Sequence, residues 1–220
     1  MAAAVKVNGR TAEAKAFRVE RVVKATRELA TAGGYEAVQM REVARLAQTA
    51  LSTLYKYYTS KDDLIIAAVT SELGSLAADV LRRPPRQKTA TGRAGEVFVR
   101  AFQGMVRDPG FAHAAMAVHN TLREYDPDRA ERPAENDESA PWFTLFGNIA
   151  ATQAWGPDHH CTPMQSRTMG MLETLWGASV VGWLNGHTSV DEAKRRLRLA
   201  AKLLLSADTA DLNGQSVSDN

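Results

Sequence analysis

The sequence predicts an all-α protein, and three observations predict it. Apolar residues recur at helical spacing along most of the chain, and period-two alternation of the strand type is scarce. The apolar stretches are also parted by strong helix breakers: "GG" at 33–34, "RRPPRQ" at 82–87, "RDPG" at 107–110, "EYDPDRAERPAENDES" at 124–139 and "WGPDHHCTP" at 155–163. No internal repeat is evident.

The elements follow in order. Between Ala14 and Ala32, Val19, Val22, Val23, Thr26, Leu29 and Ala30 fall on one helical stripe, and the glycine pair at 33–34 ends it. Met40, Val43, Ala44 and Ala47 repeat the spacing in a second, short helix. A third helix over about 50–57 has Leu54 and Tyr58 on its inner side, with Leu51 or Tyr55 partly inside. "SKDD" at 60–63 is a capping box that opens a fourth helix, with Ser60 as the cap and Asp63 at the third helical position. That helix runs to about Leu81, where consecutive prolines stop it. Further helices are expected over 92–107, 110–124, 141–155, 164–186 and 189–206. The expected organisation is a three-helix head (14–61), a larger helical domain (62–206) and flexible tails (1–13 and 207–220).

Composition narrows the class. Hydrophobic residues make up 45% and charged residues 24% of 220, ordinary values for a globular protein. No uninterrupted apolar run approaches the roughly 18 residues of a membrane span, and the start lacks the apolar core of a secretion signal. The lone cysteine, Cys161, forms no internal disulfide, which fits a reducing cytoplasm. The net charge of +2 is uneven: residues 1–61 hold 11 Lys/Arg against 5 Asp/Glu, and the remainder is mildly acidic. An anionic partner met at the N-terminal end would explain this; so would an unevenly charged solvated surface.

The stretch "TALSTLYKYYTSKDDL" at 49–64 decides between them. It crowds hydroxyls, two lysines and three tyrosines into one short helix and its exit. On that helix Ser52, Thr53, Lys56 and Tyr57 turn outward, while Lys61 stands at the mouth of the fourth helix, where free amides also favour an anion. Helices two and three, joined by a few residues, have the arrangement of a helix-turn-helix, whose second member enters the DNA major groove. Hydroxyls, an ammonium group and phenols are what phosphate oxygens and base edges bind. Each residue alone reads as solvated surface; the conjunction points to double-stranded DNA.

"MREVARLAQTALSTLYKYYTSKDDLI" resembles the DNA-binding signature of TetR-type transcriptional regulators, over residues 15–75. The resemblance implies that Gln39, Met40 and Arg41 begin helix two beside the DNA backbone. It implies that Leu51, Ser52 and Thr53 face bases and that Tyr55, Lys56, Tyr57 and Lys61 hold phosphates. It also implies a ligand-responsive regulator of repressor type, with an operator as partner. Gln48 stands where the family usually has Gly, and Thr49 and Ala50 where it has Val and Ser, so that either Thr49 or Ala50 can be the N-cap of helix three. Two segments, "GGYEAVQMREVA" and "LWGASVVGWLNGHTSVDEAKRRLRLAAKLLL", are similar to TetR-type regulators of bacterial steroid catabolism, whose inducers are CoA thioesters of steroid-derived acids.

In the C-terminal half, Met164, Thr168, Met171, Leu172, Leu175, Val180, Trp183 and Leu184 cover more than one face of their helix. The helix over 189–206 is apolar on a second side as well, so the pair suits a four-helix homodimer interface as well as a plain core. Phe98, Phe102, Met105, Trp142, Phe146 and Trp176 are candidates to line a cavity for a small hydrophobic effector, and plain core is the alternative reading for them. "DHHC" at 158–161 offers zinc-type ligands, but neighbouring residues seldom all reach one ion and no second cluster completes the set. No nucleophile motif, phosphate-binding loop or cofactor signature is present, so no catalytic residue, metal or cofactor is assigned. An all-helical small-molecule binder or enzyme, or a helical scaffold for an acidic protein, are the rival readings.

Overall fold

A computed structural model of the chain describes the backbone of residues 2–119 and 141–214 and the side chains of 17–119 and 145–206. The described backbone is helical throughout: α1 (Ala2–Ala37), α2 (Met40–Leu46), α3 (Leu51–Leu54), α4 (Lys61–Arg82), α5 (Ala90–Arg107), α6 (Pro109–His119), α7 (Pro141–Trp155), α8 (Pro163–Leu184) and α9 (Val190–Gly214). The end of the helix expected over 110–124 and the breaker segment at 124–139 lie outside the described residues, as does the end of the C-terminal tail. Helix α1 starts at Ala2, well before the expected residue 14, in keeping with the Ala, Lys and Glu of that segment. The glycine pair breaks it as expected, with Gly34 at φ +66.

Two compact units emerge: Met1–Glu72 with Asp108–Thr121, and Leu73–Arg107 with Leu122–Asn220. In the first, α1 packs mainly on α6 and on α2, and α2 on α3. Its buried stripe is Val22, Ala25, Thr26 and Ala30. Of the residues expected inside, Val19 is 39% exposed and Val23 and Leu29 are half-buried, while Ala25, not expected there, is buried. The buried Thr26 hydroxyl is satisfied by donating to the Val22 carbonyl at 2.9 Å.

One acid ties α6 to α1. Asp108 precedes α6 and accepts the Phe111 amide at 3.0 Å, while Thr31 donates its hydroxyl to the other carboxylate oxygen at 2.6 Å. Arg27 lies 3.7 Å from Asp108, is ion-paired with Glu72, and covers the Phe111 ring at 5.6 Å. The approach is so close that a Cβ on Gly110 would collide with the carbonyl oxygens of Ala30 and Thr31.

Helix α4 is long and apolar enough, by length and composition, to cross a membrane. Leu64, Ile65, Ala68, Val69 and Val80 are instead buried in the protein, and Glu72 and Asp79 interrupt the apolar run.

In the second unit α5 packs against α9 and α7, and α8 against α9 and α7. α5 buries Ala94, Val97, Phe98 and Phe102, and α9 buries Ala193, Leu197, Ala201 and Leu205, a four-residue period along one face. Arg93 donates to the Gln153 and Ala154 carbonyls, each at 2.7 Å, and so caps the end of α7. α8 begins with Thr162, Pro163 and Gln165 in a full capping box.

Glu173 is the exception in this core. It is 7% exposed, and its carboxylate sits where a Cβ on residue 147 would meet it at 2.5 Å, so a side chain there would have to move the Glu173 carboxylate aside. Burial pushes its pKa up to about 7, against a smaller opposing effect of the Gly147 amide hydrogen bond.

These close approaches set two expectations for stability. Gly110→Ala should lower the melting temperature by several degrees, corresponding to about 1–3 kcal/mol of overpacking, measured by circular dichroism. For Glu173 the folded state holds its proton to a higher pH than the unfolded chain does, so stability falls as pH rises from about 4.5 to about 7. Glu173→Gln should therefore melt above the wild type at pH 8, with the gap closing toward pH 4.

Candidate functional site

The first unit builds an exposed polar face around a short turn. α2 closes with Ala47 as its C-cap, and Gln48 then adopts φ +49, in the left-handed region. The Thr49 amide donates back to the Ala44 carbonyl at 2.9 Å and the Gln48 amide to Arg45 at 3.2 Å, the paired bonds of a Schellman ending. Arg21, on α1, donates to the carbonyls of both Ala47 and Gln48, the latter at 2.7 Å. Its guanidinium also lies 5.7 Å from the centre of the exposed Phe17 ring.

Helix α3 starts at Leu51 with Ala50 as its N-cap and no side-chain cap bond, so Thr49 does not cap it. Only Leu51–Leu54 is α-helical, where spacing predicts 50–57, but turn-type bonds carry the coil on: Lys56 to Thr53, and Tyr57 and Tyr58 to Leu54. Leu54 is buried, and Leu51, Thr53 and Tyr58 are half-buried. Ser52 and Lys56 are exposed, as are Tyr55 and Tyr57, both near half exposure. Partial burial raises the Tyr58 pKa, in line with its inner position.

At the start of α2, Gln39 and Arg41 are exposed and Met40 half-buried; Gln39 is the N-cap of α2 but makes no side-chain cap bond. At the other edge the Ser60 box forms as expected: the Ser60 amide donates to Asp63 at 3.1 Å and the Asp63 amide to Ser60 at 3.1 Å. Burial alone would raise the Asp63 pKa, but the Thr59 and Ser60 hydrogen bonds outweigh it and hold the carboxyl below its usual value.

Lys61 is tethered. Its ammonium group sits 3.6 Å from the centre of the Tyr35 ring and 3.5 Å from Glu36. Tyr35 donates its hydroxyl to Asp62 at 2.8 Å, and that bond, with burial and the nearby carboxylates, pushes its pKa to about 12. Sequence reading identifies Lys61 but misses Tyr35 and Arg21, whose partners lie far along the chain.

The apolar candidates lie in the second unit. Phe98, Phe146 and Trp176 come together, with ring centres 4.6 Å apart for Phe98–Phe146 and 5.2 Å for Phe146–Trp176. Phe102 is buried against Trp183 at 6.1 Å, and Met105 is half-buried. The Trp142 side chain lies outside the described residues. The Trp176 indole N–H is buried without a hydrogen-bond partner among the described residues. Glu173, one turn before it on α8, is not foreseen from the sequence as part of this region. In the "DHHC" segment, His159 shares a hydrogen bond with Gln165 at 2.8 Å and packs on Trp155.

Comparison with known proteins places this geometry. Residues 22–68 match the family model for bacterial regulatory proteins of the tetR family. The HTH-type transcriptional repressor KstR of Rhodococcus jostii (strain RHA1) is 30% identical over 195 residues, covering 89% of this chain and 86% of that protein. A TetR transcriptional regulator from Rhodococcus sp. RHA1, known from its crystal structure, superposes with a TM-score of 0.74 at 27% identity, covering 87% of this chain and 97% of its own. Thermus thermophilus FadR, crystallised with lauroyl-CoA, shares the fold at 20% identity with a TM-score of 0.59, over 85% and 93% of the two chains. The chain belongs to the tetR family of bacterial regulatory proteins and is a DNA-binding transcriptional regulator.

Proposed function

We propose that the chain is a cytoplasmic, homodimeric repressor that leaves its operator when a hydrophobic effector binds the second unit. The outward face of the α2–turn–α3 segment carries this reading. Ser52, Thr53, Lys56 and Tyr57 stand exposed or half-exposed on it with Leu54 anchored beneath. In this reading Leu51, Ser52 and Thr53 meet base edges. Gln39, Met40, Arg41, Tyr55, Lys56 and Tyr57 meet the sugar–phosphate backbone. Lys61 contributes less to phosphate binding, because Tyr35 and Glu36 already hold its ammonium group.

The dimer rests on an apolar face that one chain leaves uncovered. Met164, Met171 and Leu175 on α8, and Leu199 and Leu203 on α9, are each between 44% and 62% exposed. A second copy would bury them in a four-helix seam, and a dimer suits an operator, since two recognition helices about 34 Å apart reach successive turns of DNA.

The effector we propose is an acyl-CoA thioester, of steroid type, bound by the Phe98, Phe102, Met105, Trp142, Phe146 and Trp176 region. The likeness to steroid-catabolism regulators and the kinship to KstR support it, and FadR illustrates this fold holding an acyl-CoA in another protein. Release requires tighter binding to the DNA-incompetent state, since equal affinity for both states shifts nothing.

Footprinting on the upstream DNA of the chain's own gene tests the whole reading. It should protect a two-fold symmetric site, and a steroid acyl-CoA should abolish the protection. In the same assay Lys56→Ala should weaken binding to every duplex alike and reduce the salt slope by about 1. Tyr57→Ala, which removes no charge, should weaken binding with the slope kept. A Lys56→Ala slope equal to the wild type's would remove Lys56 from the phosphate contacts.

A further inference from the structure

The turn between α2 and α3 is strained in this chain, and something other than its own residues must hold it. Gln48 occupies a left-handed conformation (φ +49) that glycine adopts freely and a residue with a Cβ does not. Glutamine is moreover a good helix former, so the local preference is to continue α2 rather than to bend. The Schellman bonds use the Ala44 and Arg45 carbonyls, which leaves those of Ala47 and Gln48 to be met from elsewhere. Arg21 meets both, from α1, a helix whose position does not depend on the turn. Its charge also suits the carbonyl end of α2.

We propose that Arg21 is a positioning residue for DNA binding: it clamps the Ala47–Gln48 turn from α1 and so fixes the direction in which α3 presents Ser52, Thr53 and Lys56. The proposal rests on the reading that this face meets DNA. Two features make the clamp specific. Both bonds come from one nitrogen, Nη2, whose two N–H groups are held in fixed directions by the planar guanidinium and so can bridge two successive carbonyls. Phe17, one turn earlier on α1, lies beside the guanidinium and limits its rotamers. An Arg on a phosphate would instead be worth a charge to the salt dependence, and that difference separates the two roles.

The test uses the full chain and a duplex selected by the wild-type protein from a random pool. Arg21→Ala should raise the Kd about tenfold with the slope of log K against log salt unchanged. Gln48→Gly alone should bind as the wild type does, and in Arg21→Ala/Gln48→Gly most of the loss should be recovered, because glycine needs no clamp. Amide exchange supplies a readout independent of DNA: the Thr49 amide should exchange at least tenfold faster in Arg21→Ala, with the α1 amides unchanged. Should Arg21→Ala fail to fold, Arg21→Lys, whose ammonium group lacks the fixed planar N–H directions, carries the same comparison with a smaller effect.

A slope reduced by about 1 would make Arg21 a phosphate contact and overturn the proposal. So would an equal loss in the Gln48→Gly background, or unchanged exchange at Thr49. If the wild-type chain selects no duplex, the DNA-facing reading fails, and the exchange result still decides whether the clamp exists.

Discussion

A helix of four residues cannot hold its own shape in water, and the construction of the first unit answers that constraint. Nucleating a helical turn costs more than one turn of hydrogen bonds returns, so α3 must borrow its order from its neighbours. Leu54 supplies the anchor, buried to 2% exposure, and the bonds from Tyr57 and Tyr58 to its carbonyl extend the coil. On one side the turn is bonded to Arg21 of α1; on the other, Ser60 and Asp63 fix the entry to α4. The outward side chains of Ser52 and Lys56 take no part in these bonds and can serve a partner.

The second unit solves a different problem with the same materials. Its interior is aromatic around Phe98, Phe146 and Trp176, yet it also buries the Glu173 carboxyl and an indole N–H that has no partner among the described residues. A core selected for stability alone would replace Glu173 by an apolar residue, because a buried acid is costly in its charged form. Its retention costs stability at neutral pH, which is the kind of expense found where a protein keeps polarity for another use. The uncovered Met and Leu face of α8 and α9 is likewise a poor surface for a lone chain and a good one for a pair.

Much of this was legible in the residues. Local signals fared best: the Ser60 capping box, the glycine break, the prolines after α4 and the helical stripes put most expected helix ends within a few residues of the observed ones, the start of α1 and the end of α9 excepted. The inward setting of Leu54 and the outward setting of Ser52, Lys56 and Tyr57 also followed from spacing alone. What escaped is non-local. Arg21 reads as one more solvated arginine until a turn 26 residues later is brought beside it. Lys61 reads as a free cation until Tyr35 and Glu36 fold over its ammonium group. Glu173 escaped because a carboxylate on a helix reads as solvent-facing until α7, with Gly147, packs over it. Val19 and Ala25 show the same limit at smaller scale: helical spacing gives a stripe, and the packed neighbour decides its edge.

The tethering of Lys61 bears on how the proposed operator contact divides between charge and shape. If Lys61 is largely spent on Tyr35 and Glu36, and Arg45 on Glu42 at 2.9 Å, the exposed cations left on the α2–α3 face are Arg41 and Lys56. Two per protomer give a dimer roughly four phosphate neutralisations, and hence a salt slope of about −4 at about −0.9 per phosphate. That is shallow for a specific DNA-binding dimer. The balance of the affinity then falls to hydroxyl donors at Ser52, Thr53, Tyr55 and Tyr57, whose bonds are short-ranged and directional and tolerate little misplacement. A face that relies on such bonds gains from a rigid turn more than a face that relies on charge, since Coulomb attraction survives small displacements. A measured slope near about −10, the steepness of a DNA-binding protein with many phosphate contacts, would mean that cations beyond this face carry the binding, and that fixing the turn is a minor part of it.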